Sequence, residues 1–171
     1  MCPRDALSHL YGLVVRSHCS LTILTFIDAI MDENLLPILQ LSPQLISLRF
    51  ECKQLSRESD ATLKSLFLVM SETIHVGDTL HNTLLPCLKR LEFMLYNVEY
   101  HAVKHLDVEF VDMVVSRCVP LGSQRLEFLQ ILVEGRAFQV PFTENDDLER
   151  LNRTRDDRLD LHLDLDDWIF S

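Results

Sequence analysis

Leu45-Ile46-Ser47-Leu48-Arg49-Phe50 is the stretch on which the fold turns. It carries a leucine, two spacers, a second leucine, one spacer and a large apolar residue. The last two apolar positions lie two residues apart, which is strand spacing. A side-chain period of two sends Leu48 and Phe50 to one face and Ser47, Arg49 and Glu51 to the other. The phrase recurs on both sides. Upstream it is Leu21-Thr22-Ile23-Leu24-Thr25-Phe26. Downstream come Leu88-Lys89-Arg90-Leu91-Glu92-Phe93, Leu126-Glu127-Phe128-Leu129-Gln130-Ile131 and the shorter Leu159-Asp160-Leu161-His162-Leu163. The second leucines stand at 24, 48, 91, 129 and 161, so the repeat is irregular. Strands are expected over 21–27, 45–51, 88–95, 126–133 and 159–164.

The intervals carry helical spacing. Leu7, Leu10, Tyr11, Val14 and His18 mark a helix over 4–18. Leu35, Leu36 and Leu39 mark 34–42, with Asn34 as cap and Pro37 close enough to the start to be tolerated. Leu63, Leu66, Phe67 and Met70 recur at i, i+3, i+4 and i+7 within 59–70, although 63–68 also spells the strand phrase. Phe110, Val111, Val114, Val115 and Cys118 mark 108–118, with Asp107 as cap. Thr143 and Asp146 have capping-box spacing ahead of Leu148 and Leu151 in 144–155. Residues 71–83 have weak periodicity and are expected to form a mobile loop.

Strand alternating with helix implies parallel strands, because each crossover returns the chain to the same end of the sheet. Units this short cannot bury an apolar face alone, so each must cover its neighbour. The expected α/β fold is a curved solenoid of about five parallel strands on the inner face with helices outside. It forms one domain over 1–165, followed by a tail at 166–171.

These residues resemble leucine-rich repeat proteins and, more narrowly, the mushroom-type fungal F-box proteins with irregular repeats. The carriers are Cys19-Ser20-Leu21-Thr22 leading into the first strand, and Leu84-Leu85-Pro86-Cys87-Leu88-Lys89-Arg90-Leu91 leading into the third. Phe110-Val111-Asp112-Met113-Val114-Val115-Ser116-Arg117 ahead of the 126–133 strand, and the closing helix and strand over 148–163, complete the match. The resemblance implies repeats that recruit a target to a cullin-type ubiquitin ligase, whose adaptor binds an N-terminal F-box. Residues 1–18 lack the Leu-Pro-rich opening of an F-box and read as the helix of the first repeat. Without an F-box, an adaptor contact is implied only for the relatives.

Composition narrows the function. Acidic residues outnumber basic ones 26 to 16 for a net charge of −10, which disfavours binding to phosphate backbones. Four glycines in 171 residues, with no GxSxG, Walker or dinucleotide motif, give no phosphate-cradling loop. No apolar run approaches the roughly 20 residues of a membrane span. Five scattered cysteines without a CxxC pair fit reduced thiols in the cytoplasm or nucleus. His101 and His105 are four apart, but no third ligand accompanies them, so neither a metal nor a cofactor is expected. The expectation is a non-catalytic module that binds another protein, with self-association through an uncapped repeat end. The alternatives are a repeat-only interaction or self-association module with no ubiquitin link and, as a different class, a small hydrolase.

The candidate binding residues are the strand positions that alternate away from the leucines. They are Ile23, Thr25, Arg49, Glu51, Arg90, Glu92, Met94, Phe128, Gln130 and His162. Arginine and aromatic side chains are frequent interface anchors. The same arginines have a second reading, as cross-strand partners of Glu51 and Glu92. Residues 144–171 hold ten acidic and four basic residues. Asp160, Asp164 and Asp166 alternate with leucines there, as on a charged strand face that resists edge pairing or as an acidic docking site. Trp168-Ile169-Phe170 reads as a folded-back cap or as a short docking motif.

Overall fold

The computed structural model describes residues 5–53, 56–76, 79–98, 106–118, 125–135, 145–156 and 159–165. The chain alternates helix and strand. α1 (Ala6–Ser17) precedes β1 (Ile23–Ile27), and α2 (Leu35–Gln40) precedes β2 (Ser47–Cys52). Next come α3 (Arg57–Ser71), β3 (Thr73–Val76), β4 (Thr79–Asn82) and β5 (Arg90–Val98). α4 (Val108–Cys118), β6 (Phe128–Gly135), α5 (Asn145–Asp156) and β7 (Asp160–Leu165) complete it. Five strands form one sheet in the order β1-β2-β5-β6-β7, every neighbouring pair parallel. The architecture is α/β, a five-stranded parallel sheet with flanking helices.

The leucine phrase sets the register. Leu24, Leu48, Leu91, Leu129 and Leu161 align across the sheet, and Phe26, Phe50, Phe93, Ile131 and Leu163 form the next inward row. Phe26 stacks on Phe50 at 5.4 Å, and Phe50 on Phe93 at 5.1 Å. Phe67 of α3 and Phe110 of α4 meet Phe93 edge-on, so both helices lie on the inward side of the sheet. Leu7, Leu35, Ile38, Leu39 and Leu151 bring α1, α2 and α5 into the same apolar core.

β1, β2, β5 and β6 begin two residues after the opening leucine of their phrase, and β7 one residue after it. Leu45, Leu88, Leu126 and Leu159 are buried but lie outside the ladder. The residue just before each strand explains this. The Thr22 carbonyl accepts from the N–H groups of Ile46 and Ser47, and the Ile46 carbonyl from those of Lys89 and Arg90. The Lys89 carbonyl accepts from Glu127 and Phe128, and the Glu127 carbonyl from Asp160. One carbonyl per unit thus pins the start of the next strand. At the far end of β1, Asp28 turns the chain with φ 51°. Its carboxylate accepts from the Lys53 N–H at 2.8 Å and pairs with the Lys53 ammonium at 3.0 Å. Those contacts hold its carboxyl below the usual carboxylate range.

Two expectations change. Residues 71–83 are not simply a loop, because β3 and β4 pair antiparallel there, Thr73 opposite Asn82 and Val76 opposite Thr79. The strand spelling at 63–68 is overridden. Leu63, Leu66, Phe67 and Met70 are all buried on one face of α3, and Ser56 caps that helix by accepting from the Ser59 N–H. Asn34 occupies the cap position of α2 but makes no side-chain cap; Asp32 instead accepts from the Asn34 N–H at 2.8 Å. Thr143 and residues 166–171 lie outside the described residues. Among the described residues no helix is long and apolar enough to cross a membrane.

Candidate functional site

The outward face of the sheet carries three rows. The first is Ile23, Ser47, Arg90, Phe128 and Asp160, and the second is Thr25, Arg49, Glu92, Gln130 and His162. The third is Ile27, Glu51, Met94, Leu132 and Asp164. All ten candidate binding residues therefore share one face.

Their exposure differs. Ile23, Thr25, Arg90 and His162 are exposed, while Arg49, Glu51, Met94, Phe128 and Gln130 are half-buried. Glu92 departs from expectation: it is buried, only 7% exposed. The reason is ionic. Arg49 reaches Glu51 at 2.7 Å and Glu92 at 3.6 Å, and Arg90 donates from Nε to the other Glu92 oxygen. Two arginines from adjacent strands close over one carboxylate; Arg49–Glu92 is the cross-strand pair read from the sequence, whereas Arg49–Glu51 and Arg90–Glu92 pair within a single strand. Arg49 Nε is shielded from solvent and has no acceptor among the described residues.

Arg90 also belongs to a second group. Its guanidinium carbon lies 3.6 Å from the centroid of the Phe128 ring, a cation–π contact. Phe128 in turn meets the His162 ring at 5.4 Å, and His162 Nε2 lies 2.8 Å from Asp160 Oδ1. Arg90, Phe128, His162 and Asp160 form a continuous polar-aromatic strip across β5, β6 and β7. The face is graded in charge. β1 contributes Ile23, Thr25 and Ile27 with no charge, the centre holds the arginine–glutamate network, and β7 contributes exposed Asp160 and Asp164.

Other polar groups serve the scaffold. Lys64 pairs with Asp107 and Glu109 between α3 and α4, and Arg150 joins Asp112 of α4 to Asp147 within α5. Cys52 and Cys118 are buried, Cys87 is half-buried and Cys19 is exposed. Burial pushes the Cys52 thiol up to about 11, with the Asp28 and Glu51 carboxylates acting in the same direction. Among the described residues no three His, Cys, Asp or Glu side chains come together as a metal site. His101 and His105 lie outside the described residues.

Compared with protein-family models, curated proteins and solved structures, the chain matches none of them.

Proposed function

We propose that the chain is a short leucine-rich-repeat-like solenoid that recognises another protein through the outward face of its sheet. The observation that carries this reading is the three-row face itself: the apolar parts of all five helices join the core, and the opposite side of the sheet keeps Ile23, Arg90 and His162 exposed. The carbonyl that pins each following strand supports stacked, repeated units. The Arg90–Phe128–His162 strip supplies side-chain types that anchor protein interfaces.

Size limits the partner. Five strands about 4.8 Å apart, each exposing about 17 Å of length, offer about 400 Å². A standard interface takes about 800 Å² per partner, so the face suits a short segment of a partner held weakly. Recruiting the target of an F-box ubiquitin ligase in the cytoplasm or nucleus is the role that the sequence resemblance assigns to such a face. No cofactor is needed for it.

The test compares three versions of the chain as cross-linking bait: the wild type, Arg90→Ala with Phe128→Ala, and Leu68→Lys on the exposed side of α3. Proteins captured by the wild type and by Leu68→Lys, but lost from the double variant, support the reading. An identical captured set from all three overturns it. Ligase subunits among the captured proteins test the ubiquitin link separately.

A further inference from the structure

We propose that two copies of this chain pair through the open edge of β1, antiparallel about a two-fold axis at Thr25. This goes beyond the binding face, because it rests on backbone groups at the edge of the sheet. Among the described residues β1 pairs with β2 alone. The Thr22 carbonyl and the Asp28 N–H are both engaged with β2 and its approach, Asp28 donating to the Glu51 carbonyl at 2.7 Å. Backbone direction alternates along a strand, so Leu24 and Phe26 also serve β2. Ile23, Thr25 and Ile27 therefore direct their N–H and C=O groups outward, where the described residues provide no ladder partner.

The two edges of the sheet are built differently. β7 carries Asp160 and Asp164 among its leucines, charges that discourage strand pairing. β1 is Ile-Leu-Thr-Phe-Ile, with no charge, proline or bulge. Ile23 is 69% exposed and Ile27 is 55% exposed. An antiparallel mate centred on Thr25 sets Thr25 opposite its own copy and Ile23 opposite the mate's Ile27. All three pairs are of the hydrogen-bonded kind, and both side-chain combinations suit cross-strand neighbours.

Electrostatics selects a second copy as the occupant. The chain carries a net charge of −10, yet residues 6–27 contain Arg16 as their one formal charge at neutral pH, with histidines counted as neutral. Asp28, which follows, is paired with Lys53. The β1 end is thus where two acidic molecules meet with little repulsion, whereas approach through β7 would oppose carboxylates. α1, which leads into β1, adds exposed Tyr11 and Val15 one turn apart.

Sedimentation velocity of the full chain over a dilution series tests the proposal, using the wild type, Thr25→Pro, Ile23→Lys and the control Leu68→Lys. Thr25→Pro removes an outward N–H and leaves the ladder to β2 intact. The expected result is a monomer–dimer equilibrium in the wild type and the control. Each β1 substitution should raise the dimer dissociation constant by about tenfold or more. A second measurement uses the wild type alone: amide hydrogen exchange at Ile23, Thr25 and Ile27 should slow at high concentration and quicken on dilution. A monomer at every concentration, a dimer equally strong in both β1 variants, or exchange at those amides that ignores concentration would overturn the proposal. The binding-face substitutions at Arg90 and Phe128 lie outside β1, so failure here is distinct from failure of the proposed recognition.

Discussion

Arg117 shows how much one side chain decides. Its place at the end of α4 suggests an exposed cation serving the helix dipole. Instead it is 2% exposed, and its guanidinium donates to the carbonyls of Met70, Leu84 and Leu85. Met70 lies in the last turn of α3, where helix carbonyls lack partners, and Leu85 holds an unusual φ of 51° in the turn before β5. Burial lowers the guanidinium to about 10, so it remains charged at neutral pH. Arg117→Met should lose about 3 kcal/mol or more in urea unfolding, because three buried carbonyls lose a donor. Arg117→Lys should recover only part, since an ammonium cannot span the same fork. A loss below about 1 kcal/mol for Arg117→Met would mean that water replaces the guanidinium. Nothing in the sequence signals this role, because residue type and helix position are shared with ordinary surface arginines. Glu92 was legible only in part: alternation gave its face, but its burial depends on Arg49 and Arg90 converging from two strands. Cys52 gives a pH test. Its raised thiol favours the folded state below the ordinary thiol range, and that advantage is lost as pH rises toward about 11. Thermal unfolding of Cys52→Val should therefore fall less steeply than the wild type above about pH 9. Parallel curves would show that the thiol titrates alike in both states.

At the scale of the element, the leucine phrase carried most of what the sequence revealed. It located all five strands of the parallel sheet because their inward rows are apolar without exception. Its start was misplaced by one or two residues because burial and strand geometry separate there: Leu45 and Leu88 are core residues in a turn, not ladder residues. The β3–β4 hairpin escaped for the opposite reason. Its strands are four residues long and mix threonine and histidine with aliphatic residues, so no apolar alternation marks them. The available signal was the pair of β-branched residues Thr73 and Ile74, and a partner strand two residues beyond Val76. The phenylalanine row makes a quantitative prediction. Phe50 is sandwiched between Phe26 and Phe93 and fully buried. Phe50→Ala should cost about 3–5 kcal/mol in urea unfolding, and Phe50→Leu clearly less, because leucine refills part of the gap. Equal losses would assign the stability to ring stacking rather than to filled volume.

For the molecule as a whole, stability should be graded across the sheet. Its principal contacts run from each strand to its immediate neighbours, and from α3 to α4 and α4 to α5. β5 stands at the centre with Leu91, Phe93 and Leu95 all fully buried. β7 stands at one edge, with Leu161 buried and Leu163 only half-buried among exposed Asp160, His162 and Asp164. An edge strand with so little apolar cover opens at lower free energy than a central one. Native-state amide exchange of the wild type should therefore find β5 and the flanking parts of β2 and β6 slowest, and β7 among the fastest strands. β1 provides the internal comparison. As an equally terminal strand it should resemble β7 in dilute solution, but gain protection as concentration rises if its edge accepts a second copy. Equal protection in β5 and β7 under native conditions would contradict the graded picture and make the sheet one cooperative unit. A β1 that stays as labile as β7 at high concentration would separate the fold, which the leucine rows explain, from the association that its bare edge is proposed to support.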